Sequence, residues 1–213
     1  STAPVVAAVA NISLEATGAQ TTVSYSTTAS DLVDGDNLAA TCSPVSGSGF
    51  GVGTTPVTCS TTDTAENTGS TSFSVIITDS TAPVVAAVAN ISLEATGALT
   101  TASYSTTASD LVDGVVVVTC DPVSGTGFAV GTTSVACSAT DAIGNIGSTS
   151  FDVIITDSTA PIVAAVSNIS LEATGAQTTV TYSTTASDLV DGAVAVTCDP
   201  VSGTGFAVGT TSV

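Results

Sequence analysis

Apolar and polar residues alternate with a period of two over several short stretches of the chain, and no helical period is present. In these alternating stretches the apolar residues are mostly β-branched or aromatic, as is typical of strands. The alternating stretches are residues 12–17, 22–26, 57–60 and 72–77. Glycine-rich breaks separate them at 17–19, 34–37, 46–53 and 63–69. Short strands at this spacing predict an all-β sandwich.

The same pattern recurs along the chain. The segment STAPVVAAVANISLEATGA at 1–19 returns unchanged at 80–98, and YSTTASDLVDG occurs at 25–35, 104–114 and 182–192. We therefore predict three repeats, namely 1–79, 80–157 and an incomplete third at 158–213. A period of this length is too long for a solenoid unit and indicates small tandem domains arranged as a rod.

The third repeat stops at Val213, just before the position that matches Cys137. Two interpretations are open. Either the chain continues beyond this segment, or a neighbouring subunit supplies the missing strands by strand addition.

The net charge of the chain limits the partners that it can bind. The chain has 18 acidic residues and no lysine, arginine or histidine, so its formal net charge is −18. This excludes nucleic acid as a partner, since phosphate binding relies on basic side chains, and it disfavours anionic membrane surfaces. No apolar run reaches the roughly 18 residues of a membrane-spanning helix, so we expect no membrane insertion in this segment.

Cysteines occur in pairs 17 residues apart, Cys42 with Cys59 and Cys120 with Cys137. Neither pair has the CxxC spacing of a zinc site and no histidine is available, so we predict two disulfides. Disulfides indicate an oxidising, extracellular or cell-surface location. Cys198 is left without its counterpart.

The order of several motifs resembles that of hyalin-repeat (HYR) domains. These motifs are DSTAPVVAAVANISLEATGA, ASDLVDG, GTGFAVGTTSVACSATDAIGN and FDVIITD. The resemblance covers the first two repeats and the existing part of the third. It implies immunoglobulin-like, extracellular domains, often in tandem and associated with adhesion or matrix.

Acidic residues gather where one such domain would follow another. In an immunoglobulin-like sandwich the SDLVDG and TDAIGN loops share one end, and LEATG lies at the other, next to the linker. We therefore expect two groups of carboxylates, each a candidate calcium site because oxygen-only ligands favour that ion. The first group is Glu15, Asp79, Asp110, Asp113 and Asp141, and the second is Glu94, Asp157, Asp188 and Asp191.

Turn formation is an equally good explanation of these aspartates. Asp-Gly is a strong hairpin signal, and aspartate commonly opens a turn by accepting from its own backbone. The sequence does not decide between turn and calcium.

Asn11, Asn90 and Asn168 each begin an Asn-Ile-Ser triplet, the acceptor pattern for N-glycosylation. They also suit turns between two short strands. The triplets therefore fit both glycosylation and a turn.

The stretches PVVAAVA at 4–10 and VVVV at 115–118 are apolar on both faces. Either another chain packs against them, which favours self-association into fibres, or they form a buried edge within one domain. Catalysis has little support, since the chain has no basic side chain and the cysteines are expected to be paired. The sequence thus predicts a non-catalytic structural protein, a segment of an extracellular filament. The alternatives are the stalk of a cell-surface adhesin and the accessory repeats of a secreted enzyme.

Overall fold

A computed structural model describes residues 2–213 and shows an all-β fold, as predicted. Residue 1, with which the first predicted repeat begins, lies outside the described part. Among residues 2–213 no helix is long and apolar enough to cross a membrane.

The strands fall into three similar series. The first is β1 (Val5–Val6), β2 (Ile12–Glu15), β3 (Thr21–Val23), β4 (Thr28–Asp31), β5 (Gly35–Ala39), β6 (Thr41–Ser43), β7 (Ser48–Phe50), β8 (Gly53–Thr62) and β9 (Thr68–Thr78). The second is β10 (Val84–Val85), β11 (Ile91–Glu94), β12 (Thr100–Thr101), β13 (Ala108–Asp110), β14 (Gly114–Val116), β15 (Val118–Asp121), β16 (Gly127–Phe128), β17 (Gly131–Thr140) and β18 (Ile146–Thr156). The third is β19 (Ile162–Val163), β20 (Thr178–Thr179), β21 (Ala186–Asp188), β22 (Gly192–Val194) and β23 (Gly205–Phe206).

Three sheets make up the first repeat, with strand orders β1-β4-β5, β3-β7 and β2-β9-β8-β6. β2 runs parallel to β9, with Ile12 opposite Val75, and the other pairs are antiparallel. Period-two alternation turns one face of each sheet inward. The inward side chains form one core, to which all three sheets contribute: Val6, Ala16, Val23, Ala29, Phe50, Val57, Cys59, Phe73, Val75 and Ile77. This confirms the predicted sandwich, because the sheets share a buried apolar layer.

Sheet order is the same in the second repeat, namely β10-β13-β14, β12-β16 and β11-β18-β17-β15. The third repeat has β19-β21-β22 and β20-β23. Within residues 158–213 only Ala186 is a buried apolar residue, since this part has no counterpart of the long strands β17 and β18.

Two compact units are formed by the chain. One comprises, of the described residues, 2–87, 106–120 and 137–149, and the other 88–105, 121–136 and 150–213. These units divide the second repeat internally, so the predicted boundaries at 79 and 157 stay predictions.

Both predicted disulfides are present, with S–S distances of 2.08 Å for Cys42–Cys59 and 2.07 Å for Cys120–Cys137. Cys42 lies directly opposite Cys59 in the β6–β8 pair. Each bond therefore joins neighbouring strands of the four-stranded sheet. Cys198 is free.

Buried and exposed side chains alternate along the stretches that the sequence shows to be apolar on both faces. Val6 and Val85 are buried, while Val5 and Val84, their neighbours in β1 and β10, face solvent. Val84, Ser109 and Val115 are aligned across the sheet β10-β13-β14, and Val115 is 88% exposed. The outer face of this sheet is therefore not covered within the repeat.

β1 and β9 approach each other closely at a glycine. A Cβ atom on Gly69 would lie 1.8 Å from the carbonyl oxygen of Pro4, and one on Gly147 would lie 1.7 Å from that of Pro83. No side chain fits there, and the obstacle is backbone rather than a flexible side chain. Glycine at these two positions lets the first strand of a repeat pack against its last strand.

Gly69→Ala is expected to destabilise the first repeat by more than about 2 kcal/mol, because backbone has to move to admit the methyl group. Gly51→Ala is the matched control, since its Cβ would come no nearer than 4.0 Å to any other group. Urea unfolding of both variants measures the difference. Equal midpoints for the two would show that the close approach is not maintained in solution.

Candidate metal centre

The SDLVDG segment forms the hairpin turn between β13 and β14 in the second repeat. Asp110 Oδ1 accepts hydrogen bonds from the backbone N–H groups of Val112 at 2.7 Å and Asp113 at 3.0 Å. The matching oxygens of Asp31 and Asp188 accept the equivalent pair of bonds. The turn explanation is therefore correct for one oxygen of each aspartate.

The other oxygen of these aspartates has no hydrogen-bond partner. Oδ2 is buried and unpaired in Asp31, Asp110 and Asp188, and also in Asp79. The exposed fraction is 8% for Asp110 and 7% for Asp79. A carboxylate oxygen removed from water without a partner is costly, so turn formation alone leaves these atoms unexplained.

Carboxylates from separate segments converge around these oxygens. Asp79, Asp110 and Asp113 each offer an oxygen, and these oxygens lie within 4.8 Å of one another. Asp157, just before the third repeat, forms the same arrangement with Asp188 and Asp191 of that repeat, and these three residues are more exposed. These six residues are among those predicted from the sequence, and their role as calcium ligands stays a prediction.

The donor set fits a hard divalent cation. It consists of oxygen alone, with three negative charges in each group and no basic side chain in the chain to balance them. Ca²⁺ binds oxygen at about 2.3–2.6 Å, so a single ion reaches oxygens on its opposite sides that are about 5 Å apart. The spacing in each group is within that span.

Asp79 lies in the linker between β9 and β10 and fixes its conformation, in addition to belonging to the group with Asp110 and Asp113. Its Oδ1 accepts from Thr81 N at 3.1 Å. Asn145 Nδ2 donates to the carbonyl oxygens of Asp79 at 3.2 Å and Thr81 at 3.3 Å. The linker residue is thus fixed by its own turn and by the loop between β17 and β18.

Asp141 organises that loop. Its Oδ1 accepts from the backbone N–H groups of Ile143, Gly144 and Asn145, and its Oδ2 accepts from Asn145 Nδ2 at 2.7 Å. Burial raises the pKa of Asp141, but the hydrogen bonds from Asn145 and the backbone outweigh it and leave the pKa lowered. Asp141 does not belong to the group of Asp79, Asp110 and Asp113, and it contacts the linker through Asn145. Its role as a calcium ligand stays a prediction.

Glu15 and Glu94 make a different contact with the linkers. Glu15 Oε1 accepts from Ser80 N at 2.6 Å and Ser80 Oγ at 3.0 Å, and Glu94 Oε1 accepts from Ser158 N at 2.7 Å. The backbone hydrogen bond from the serine is the main cause that lowers the pKa of each glutamate. Neither belongs to a group of three carboxylates, and their role as calcium ligands stays a prediction.

One further group of carboxylates, in the first repeat, was not among the predicted sites. Oxygens of Asp31, Asp34 and Asp63 also lie within 4.8 Å of one another. The signal was present, since SDLVDG occurs at 30–35 just as in the other repeats. The predicted sites did not include the group of Asp31, Asp34 and Asp63 because they were confined to places where one repeat follows another.

The predicted glycosylation residues have a structural contact. Asn11 Oδ1 accepts from Ser74 N and Asn90 Oδ1 from Asp152 N, both at 2.9 Å. Asn11, Asn90 and Asn168 are all exposed. The amide oxygens of the first two thus link the start of β2 and β11 to the neighbouring strand, while glycosylation of the three remains a prediction.

These observations define a class of protein: tandem immunoglobulin-like β-sandwich repeats, each carrying a disulfide where its long strands are present. The HYR domain family matches the chain twice in succession, over residues 1–77 and 78–155. The chain therefore belongs to the HYR domain family.

No curated protein matches the sequence. Among solved structures, the chain is similar to extracellular cadherin domains 1–4 of protocadherin gamma B7, with 15% sequence identity and a TM-score of 0.31. The similarity covers 83% of this chain and 57% of that one. At this TM-score it says nothing further about fold or function.

The Glu15–Ser80 contact is expected to weaken in acid. Because the folded pKa of Glu15 is lowered below its ordinary value of 4.5, its stabilising effect is complete above pH 4.5 and is lost as the pH falls through the folded pKa. The Ser80 amide signal in NMR spectra should shift over this range, measured with EDTA present. In Glu15→Gln the shift should disappear, whereas Glu172→Gln, the same change in the third repeat, should leave it intact. A Ser80 signal that titrates unchanged in Glu15→Gln would assign it to another group.

Proposed function

We propose that this chain is a calcium-stabilised structural segment of an extracellular filament. Membership of the HYR family supports an extracellular repeat protein of the structural or adhesion type. The two disulfides agree with an oxidising compartment. Calcium and assembly into a filament are the new parts of the proposal.

The buried, unpartnered Oδ2 atoms of Asp79 and Asp110 carry the calcium proposal. With Asp113 they place three negative charges within 4.8 Å. A divalent ion bound there gives both orphaned oxygens a partner and removes the repulsion among the three carboxylates. Since Asp79 belongs to the linker and Asp110 to the β13–β14 turn, the same ion ties the linker to the repeat that follows it.

The second linker has the same design with a less buried group. Asp157 takes the place of Asp79, and its Oδ1 accepts from Thr159 N at 3.2 Å. Asp188 Oδ2 is again buried without a partner. Extracellular modules that meet calcium at high concentration can rely on weak sites, with dissociation constants of about 10⁻⁴–10⁻³ M.

Filament formation is supported by the exposed apolar row of the second repeat. Val84 and Val115 flank Ser109 on the outer face of one sheet, and Val117 beyond them is 83% exposed. Lateral contact between chains would remove these side chains from water. The residue aligned with Ser30 in the first repeat is Asp36, so the first repeat lacks this apolar row, whereas the third repeat has Ile162 and Ala193 on either side of Ser187.

Calcium should raise the stability of the chain, and Asp110→Asn should reduce that gain. Asparagine keeps the Oδ1 that accepts from Val112 and Asp113, and replaces only the orphaned oxygen. Free calcium at a hundred times the dissociation constant stabilises a site by about 2.7 kcal/mol. Thermal melting with calcium and with EDTA measures the gain for wild type, Asp110→Asn and the exposed control Asp36→Asn.

Without calcium, Asp110→Asn should be no less stable than wild type, because it removes a buried charge and keeps the turn. The control should respond to calcium like wild type. If melting of the wild type is the same in calcium and EDTA, the calcium part of the proposal is wrong.

Val115→Asp should weaken self-association without affecting the fold. The side chain is 88% exposed, and aspartate stands at the aligned position of the first repeat. Analytical ultracentrifugation and electron microscopy in calcium compare the variant with wild type, and Thr119→Asp serves as a second exposed change away from this row. Single particles in the wild type at all concentrations would contradict filament formation and favour a stalk.

A further inference from the structure

We propose that the first repeat carries a divalent cation site of its own, formed by Asp31, Asp34 and Asp63. Its third carboxylate comes from the turn between β8 and β9, whereas the groups of the other two repeats take theirs from a linker. All three residues therefore belong to one repeat.

Asp31 supplies the observation that points to a ligand. It is 8% exposed, and its Oδ1 already accepts from Val33 N at 2.8 Å and Asp34 N at 3.0 Å. Its Oδ2 is buried with no hydrogen-bond partner. Asp63, which offers an oxygen within 4.8 Å, is buried as well. Two buried carboxylates and a third beside them, in a chain without basic side chains, need a cation for charge balance.

The two turns are already in contact through Asp34. Its Oδ2 accepts from Thr64 N at 2.9 Å and its Oδ1 from Thr64 Oγ1 at 2.8 Å. Asp63 in turn closes its own loop by accepting from Ala65 N and Asn67 N. An ion shared by Asp31, Asp34 and Asp63 adds a second connection between the β4–β5 turn and the β8–β9 turn.

This end of the first repeat is also richer in acids than its counterpart. Asp36 follows the β4–β5 turn where the second repeat has Val115, and Glu66 lies in the β8–β9 turn where the second repeat has Gly144. The added negative charge raises the attraction for a cation at the same end. The oxygen-only donor set favours calcium over softer metals, with Mg²⁺ as the competitor that holds its water more tightly.

The role of this site follows from the two turns that carry it. It links the β4–β5 turn to the β8–β9 turn, so its ion stabilises the fold of the first repeat. Binding here does not depend on the linker sites proposed above, and the two proposals can fail separately.

Calcium titration of the whole chain tests the inference, by calorimetry in chelator-treated buffer with calcium chloride as the ligand. Asp31→Asn should lose one bound ion relative to wild type, because asparagine keeps the turn-forming Oδ1 and lacks the second carboxylate oxygen. Asp63→Asn should lose the same ion. Asp36→Asn is the control with the same charge change nearby, and it should lose none.

Circular dichroism melting in EDTA separates folding from binding, since Asp31→Asn should melt no lower than wild type there. If Asp31→Asn and Asp63→Asn both keep the full number of ions while Asp110→Asn loses one, the first-repeat site is wrong and the linker site stands. If wild type and Asp110→Asn bind equally but Asp31→Asn loses an ion, the linker site is wrong and this one stands. Wild type that binds no calcium contradicts both.

Discussion

The 18 carboxylates of this chain have no basic side chain to pair with, so they interact with backbone or side-chain amides, with hydroxyl groups or with ions from solvent. Where an amide or a hydroxyl group is available, the carboxylate accepts a hydrogen bond from it. Asp110 closes a turn with one oxygen, Asp141 closes another with both, and Glu15 accepts from a linker serine. What remains is a small number of buried oxygens to which neither amide nor hydroxyl is offered. The arrangement of the acidic ends of the repeats follows from this shortage of partners.

The topology of the sandwich explains why acidic side chains come together at the linkers. Parallel pairing of β2 with β9 puts Glu15 opposite Thr78, at the end of the repeat, so that its side chain reaches Ser80. Asp79 lies between Thr78 and Ser80; its Oδ2 has no hydrogen-bond partner, and one of its oxygens lies within 4.8 Å of oxygens of Asp110 and Asp113. The linker is therefore held by hydrogen bonds to the glutamate on one side and to Asn145 on the other. Only the Oδ2 of Asp79 is left over.

Much of this was predictable from the sequence, because exact repeats and period-two alternation are strong signals. Cysteine spacing located both disulfides, and the order of loops in a sandwich brought Asp79 to Asp110 and Asp113. The individual bonding of Asp141 and Glu15 was not predictable, since whether a carboxylate faces an ion or an amide depends on atomic positions within a turn. The Asp31 group was missed for a different reason: its third member comes from a loop of the same repeat, and motif spacing does not show which loop comes nearest. The close contact of Gly69 with Pro4 likewise leaves no mark on the sequence pattern.

Turn formation and ion binding are alternative explanations of the SDLVDG aspartates, but they concern different atoms: Oδ1 makes the turn, and Oδ2 is the oxygen left without a partner. One oxygen makes the turn, and asparagine could make that turn equally well, because its side-chain oxygen accepts the same two hydrogen bonds. Asparagine would also avoid placing a second charged oxygen out of water beside other carboxylates. Aspartate is the worse residue for the turn alone, by the cost of burying an unpaired charge. It is the better residue only if something positively charged meets Oδ2, and in a chain without lysine, arginine or histidine that partner has to come from solution.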